Sequence, residues 1–326
     1  MNKFIKVSLI ISGCCIGVGI IISTILFAIN GWNFFANEKN YPNFARNHFN
    51  TEDIYEEFDQ QIKSLDIDVD YTNITIKEGD GFSVDAQNII ENSLSLEVVN
   101  DKLVVKQNKK LNFFGWVNAI NAIDLLEGNM LTLTIPSDFD AEDIDIRCGA
   151  GDVVFSDLKA DTISISFGLG NVETNALAAD NIDISAGAGD VILGEISATS
   201  SKFNLGLGNF TINSITSECA VTNLDFQGGL GGNEFTNASL TNSKFSLGAG
   251  DFLLSGKVDG DIDVECGMGE CEINLQGNED DFSYNINGGM GEMTLNGKNS
   301  YEKHTRNGTQ KFELDGGAGD VIIRIK

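Results

Sequence analysis

Proline is nearly absent from this 326-residue chain, with Pro42 and Pro136 as the only two, and histidine is as scarce, with His48 and His304. The two histidines sit in segments without other catalytic signals, so a histidine-centred triad is not indicated. Six cysteines are too few for a disulfide scaffold, and no C-x-x-C spacing suggests zinc. Basic residues are few: 21 Lys and Arg stand against 48 Asp and Glu, a formal net charge of −27. Residues 1–37 hold two lysines and no acid, which leaves 19 basic and 48 acidic groups, or −29, for the rest. Such a domain repels the phosphates of nucleic acids and anionic headgroups. A partner recognised by charge would be a cation, a basic protein or a basic polymer; the competing reading is that the charge keeps a β-protein soluble and its edges unpaired.

What is abundant is glycine, with 36 residues, together with Asp, Asn, Ser and Thr. That mixture suits short strands joined by tight turns. With 42% hydrophobic residues recurring at a clear period, the chain is not disordered in composition.

Residues 7–29, VSLIISGCCIGVGIIISTILFAI, carry no charge and follow Lys3 and Lys6. About 20 apolar residues span a bilayer, so this run predicts a transmembrane anchor over 1–30. The preceding lysines predict a cytoplasmic N-terminus and an exported C-terminal domain. A competing signal, Ile11-Ser12-Gly13-Cys14, resembles a lipoprotein cleavage box and would attach the chain through Cys14 instead. Residues 31–60 show no sustained period and read as a linker with a short helix, and Trp32, Phe34 and Phe35 suit the membrane interface.

From residue 61 to 140 short alternating runs (LDIDVD, NITIK, FSVDA, LSLEVV, KLVVKQ) predict half-buried strands, with turns at Gly79-Asp80-Gly81 and Asn100-Asp101. Residues 111–130 interrupt the pattern as an apolar excursion or short helix. Pro136 closes the strand MLTLTIP, where its missing N–H does least harm.

Over 141–326 a tetrapeptide recurs nine times, beginning at 149, 168, 187, 206, 229, 248, 267, 289 and 317, and five of the eight intervals are 19 residues. A fixed period in this range predicts a solenoid of stacked coils. The corners are Gly149, Gly151 and Asp152; Gly168, Gly170 and Asn171; Gly187, Gly189 and Asp190; and Gly206, Gly208 and Asn209. They continue as Gly229 and Gly231; Gly248, Gly250 and Asp251; Gly267, Gly269 and Glu270; Gly289, Gly291 and Glu292; and Gly317, Gly319 and Asp320. Glycine is expected there because a corner demands positive φ or close approach to the next coil. Where the fourth residue is polar, Ala goes with Asp, Leu with Asn and Met with Glu inside and after G-x-G. Small over large suggests packing between neighbouring coils. Asp over Asn avoids a column of repelling carboxylates and lets an amide donate to its neighbours.

The blocks LTLTIPSDFDAEDIDIRCGAGDVVF (131–155), ADTISISFGLGNVE and ADNIDISAGAGDVIL resemble the bacterial DUF4097 family of candidate adhesins over about residues 62–326. The resemblance implies a β-solenoid on an envelope-anchored protein, in some members tied to envelope stress, and it brings no catalytic residues or cofactor.

Calcium is the sharpest chemical alternative, since glycine–aspartate turns in stacked β-rolls supply oxygens. Only Asp251, Glu270, Glu292 and Asp320 would stack acid on acid as a metal column. Against it, the acid occurs once per coil, and turn formation by the Asx side chains accounts for its presence. Glycan hydrolysis would need a carboxylate pair in a cleft, and no pair is marked out. Cys148 and Cys266 share a slot but lie six coils of about 4.8 Å apart, beyond disulfide reach. Cys266 and Cys271 could meet across one corner, although buried free thiols are the preferred reading.

The sequence therefore predicts an all-β solenoid, non-enzymatic and without a cofactor, that binds a protein or a wall or glycan polymer and does not bind nucleic acid. Two alternatives remain: a calcium-binding β-roll, and a polymerising scaffold resembling the bactofilins. The latter would extend through the C-terminal strand VIIRIK as an uncapped edge.

Overall fold

The computed structural model describes residues 50–107, 128–215, 221–300, 302–305 and 308–326. The anchor expected over 1–30, the cysteines Cys14, Cys15 and Cys219, and the apolar excursion up to residue 127 lie outside them. Among the described residues no helix is long and apolar enough to cross a membrane. The compact unit is Asn50–Lys326.

Its middle is a parallel β-solenoid. Strands Val153–Leu169, Val172–Ala188 and Val191–Leu207 are each 17 residues long and pair in parallel at an offset of 19, as in Val153 with Val172 and Val172 with Val191. The inward residues of the first are Val153, Phe155, Leu158, Ala160, Ile163, Ile165 and Phe167. Their spacing of two slips to three between 155 and 158 and between 160 and 163. A strict period of two would keep one flat face, so the strand turns at each slip and wraps a three-sided core. The same slips recur two coils on at Leu193 to Ile196 and Ala198 to Ser201, which keeps the turns in register.

Later coils keep the path with a different filling. Phe203, Phe210, Phe226, Phe235, Phe245 and Phe252 are buried and contact one another at centroid distances of 4.9–6.1 Å, many of them tilted or edge-on. The 23-residue interval is absorbed between Phe210–Ile215 and Val221–Leu230, after which the offset returns to 19.

Spatial and sequence order part company at both ends. After Cys271–Gln276 the chain does not lay down the neighbouring coil. Strands Gln310–Asp315 and Val321–Ile325 pair directly with Ile262–Glu265 and Cys271–Gln276, at an offset of 50. Strands Phe282–Asn287 and Met293–Leu295 pair on their far side at an offset of 28. The last coil in sequence is thus second to last in space. The C-terminal strand has a neighbour on each side, which corrects the expected open edge there. Outside it, Lys298–Ser300 and Glu302–His304 run antiparallel and cover the end. The hairpin between Leu295 and Lys298 turns through Asn296 (φ 49°) and Gly297 (φ 73°), two left-handed residues that match strand twist.

The other end is built likewise. Ser64–Tyr71 and Asn73–Gly79 form the coil beneath the first glycine corner, pairing with Ala141–Ala150 and Val153–Leu169. Lys102–Gln107 and Met130–Pro136 lie beneath that coil. Leu94–Val99 covers one side antiparallel, and Phe82–Ile90 and Thr51–Phe58 cover the other. Residues 51–58, expected within a linker, are therefore a strand. Their register follows no long alternation because they form an edge, where Glu52, Asp53, Glu56 and Glu57 deter further pairing.

Candidate functional site

The glycine corners line up into one edge. At Gly189, φ is +141° and an added Cβ would lie 1.7 Å from the Gly170 carbonyl oxygen. Adjacent coils touch backbone to backbone here, so no side chain fits and the corner is held flat.

Beside the glycines runs a ladder of polar side chains. Asp152 Oδ1 accepts from the Asn171 backbone N–H at 2.9 Å and from its Nδ2 at 3.2 Å. Asn171 Oδ1 accepts from Asp190 N at 2.9 Å, and Asp190 Oδ1 from Asn209 N at 2.8 Å and Nδ2 at 3.1 Å. Amide and carboxylate thus alternate as donor and acceptor. The backbone donors are an addition to what the sequence suggested: each side chain caps the next coil's corner. Gly232 has no side chain, and the ladder is interrupted there before Asp251 Oδ1 resumes it by accepting from Glu270 N at 2.9 Å.

The acidic column needs its order corrected. Cys271 N donates to Asp320 O, and Val321 N donates to Glu292 O, both at 2.8 Å. In space the column runs Asp251, Glu270, Asp320, Glu292. Asp320 Oδ1 accepts from Glu292 N at 2.9 Å, so two of the four carboxylates are engaged as corner caps. Among the described residues no three His, Cys, Asp or Glu side chains gather to hold a metal ion.

The residue inside each G-x-G lies at the surface of the corner, with Leu169 in register beside Ala188 and Ala188 beside Leu207, so small sits next to large outside the core. Leu169, Leu207, Leu230, Met268 and Met290 are 47%, 53%, 55%, 62% and 84% exposed. A corner points its central side chain away from the core, so apolar character here is not a sign of burial. In space these residues follow one another along a single apolar stripe, with Ala188, Ala249 and Ala318 between them. On one side lies the capped polar ladder. On the other an open groove of about 410 Å³ is lined by Ser166, Ser185, Asn204, Gln227 and the leading glycines, an uncharged strip on a strongly acidic domain. Gln107 and Asn129 reach the N-terminal end of the stack: Gln107 Oε1 accepts from Asp70 N at 3.0 Å, and Asn129 O accepts from Asn73 N at 3.1 Å.

The thiols are distributed as follows. Cys148 is buried, donates towards the Thr72 carbonyl at 3.5 Å, and is pushed up to about 11 by burial. Cys266 is half-buried and Cys271 buried; both are free thiols and they flank one corner, where the sequence reading preferred buried free thiols. His304 Nδ1 pairs with Asn285 Oδ1 at 3.1 Å at the covered end.

The fold and this edge define a capped β-solenoid whose glycine corner carries an exposed apolar stripe. The chain belongs to the Toastrack DUF4097 family, whose profile matches residues 62–324. Among solved structures it is similar to a candidate adhesin from Bacteroides fragilis NCTC 9343, at 17% identity and a TM-score of 0.44, covering 84% of this chain and 98% of that one. It is also similar to a candidate lipid-binding protein from Parabacteroides distasonis ATCC 8503, at 12% identity and a TM-score of 0.44, covering 85% and 98%. A search of curated proteins gave no match.

Proposed function

We propose that this protein is a non-enzymatic binding module, held at the membrane by residues 7–29 and exposed outside the cell, that presents its glycine edge to a protein or wall-polymer partner. The observation that carries the reading is the exposed stripe of Leu169, Leu207, Leu230, Met268 and Met290. Contiguous exposed apolar surface on a soluble domain marks a contact site more often than scattered single residues do. The stripe lies on a backbone held rigid by stacked glycines, so little ordering entropy is lost on contact. The remaining surface is acidic and resists nonspecific association.

Protease treatment of intact cells, with calcium and with chelator, tests this reading. Digestion of the domain without lysis is the expected result. Cleavage only after lysis would favour a cytoplasmic scaffold, and protection lost only in chelator would favour a calcium-dependent roll.

A further inference from the structure

The slots just before and just after a glycine corner face one another. In the Gly229 corner these slots are Gly228 and Asn233, and a Cβ built on Gly228 would lie 3.0 Å from Asn233 Nδ2. Elsewhere the pair is filled by Phe167 and Val172 or by Leu247 and Phe252, apolar side chains that belong to or pack against the core cluster. In the Gly267 corner the same two slots hold Cys266 and Cys271. Cys271 is 1% exposed, and Cys266 is half-buried and packs against the core cluster to which Cys271 belongs.

We propose that Cys266 and Cys271 are a redox-active pair that closes into a disulfide across the Gly267–Glu270 corner. Facing slots at one corner suit the short Cβ separation a disulfide needs, and the Cys148 slot, opposite Val153, has no second thiol to pair with. The reaction requires a disulfide oxidant, R–S–S–R. The thiolate of Cys266, the more accessible of the two, attacks one oxidant sulfur; the oxidant's S–S bond breaks and one RSH leaves after taking a proton. The Cys271 thiol then gives up its proton and attacks Cys266 Sγ, expelling the second RSH. Two thiols are oxidised and one oxidant disulfide is reduced. Contact with the Cys266 sulfur and burial both raise the Cys271 thiol's pKa, so Cys271 suits the resolving role better than the attacking one. The corner is also where the C-terminal coil is seated. Ala318 N donates to Gly267 O, Cys271 N to Asp320 O and Cys266 N to Asp315 O, each at 2.8 Å. Closure would staple the seat of the inserted strands. The proposal is independent of the partner bound at the apolar edge.

The full chain in detergent micelles, incubated with oxidised glutathione, then blocked with N-ethylmaleimide and digested with trypsin, provides the test. Cleavage after Lys257 and Lys298 releases one peptide, residues 258–298, that holds both cysteines and no other. The expected peptide is lighter by two hydrogens and carries no maleimide or glutathione. Cys271→Val, the residue that fills this slot at Val153, Val172 and Val191, should instead trap glutathione on Cys266. In the unmodified protein phenylarsine oxide, which bridges two adjacent thiols, should block maleimide at both positions. Two maleimides or two glutathiones on the wild-type peptide at equilibrium, or no protection by the arsenical, would overturn the proposal.

Discussion

The middle of the solenoid and its two ends are made by different rules. Between Val153 and Ala249 most coils lie on their predecessors in sequence at an offset of 19, and side chains recur in fixed slots. At the ends later strands slip in beneath or between earlier ones, at offsets of 50 and 79, and antiparallel strands finish the sheet. Repetition stabilises a stack but gives it no way to stop. Termination takes non-local pairing, which hides the last glycine corner inside the stack and leaves charged or short strands at the edge.

The largest contrast is expected from glycine. Gly189→Ala forces a Cβ to 1.7 Å from the neighbouring carbonyl at a φ of +141°, and should cost about 4 kcal/mol or more from strain and overpacking together. Gly297→Ala, in the terminal hairpin with nothing within 4 Å, should cost only about 1 kcal/mol. Chemical denaturation of both variants checks the pair, and equal losses would break the distinction between stacked corner and free turn. Phe226→Ala removes a ring packed against Phe210, Phe235 and Phe245 and should cost about 3–5 kcal/mol by the same measurement.

Acid should separate the regions next. Glu272 is held below the usual carboxylate range by hydrogen bonds from Asn274 and Arg324, and Glu279 by Lys303 and Asn296. A lowered folded-state pKa contributes stability above the unfolded value of about 4.3 that is lost as pH falls through the lowered one. Arg324 belongs to the inserted strand, and Lys303 to the covering strand that pairs with Phe282–Asn287. Amide exchange should therefore quicken at the C-terminal end, between pH 5 and pH 3 or so, before it quickens at Val172–Leu207. The smallest effect is expected at the ladder. Asn171→Ala removes the acceptor for Asp190 N and the amide donor to Asp152, and should cost about 1 kcal/mol, read as a small shift in the denaturation midpoint.

This contrast also explains what was legible in the sequence. The 19-residue period, the inward alternation of Ile163, Ile165 and Phe167 and the Asp–Asn alternation all depend on local spacing, and local spacing survives in one dimension. The insertion of Val321–Ile325 between two earlier strands depends on which edge is free when it arrives, and nothing in VIIRIK records that. Asn296-Gly297 was a readable hairpin signal that the long last interval obscured. The small-over-large alternation of the G-x-G residue was legible, but its outward direction was not, because that depends on the shape of the corner. That Cys266 and Cys271 could meet across one corner was legible, because Gly267 and Gly269 lie among the four residues between them.

The most direct test of the edge as a contact surface is site-specific photo-crosslinking on intact cells. A photoreactive residue at Leu230 in the stripe is compared with one at Lys202, an exposed position on another side of the same coils. The account predicts a discrete crosslinked product from Leu230 that is lost when Leu207 and Met268 are changed to Asp, with little or none from Lys202. Equal crosslinking from both positions, or a Leu230 product indifferent to those changes, would contradict it.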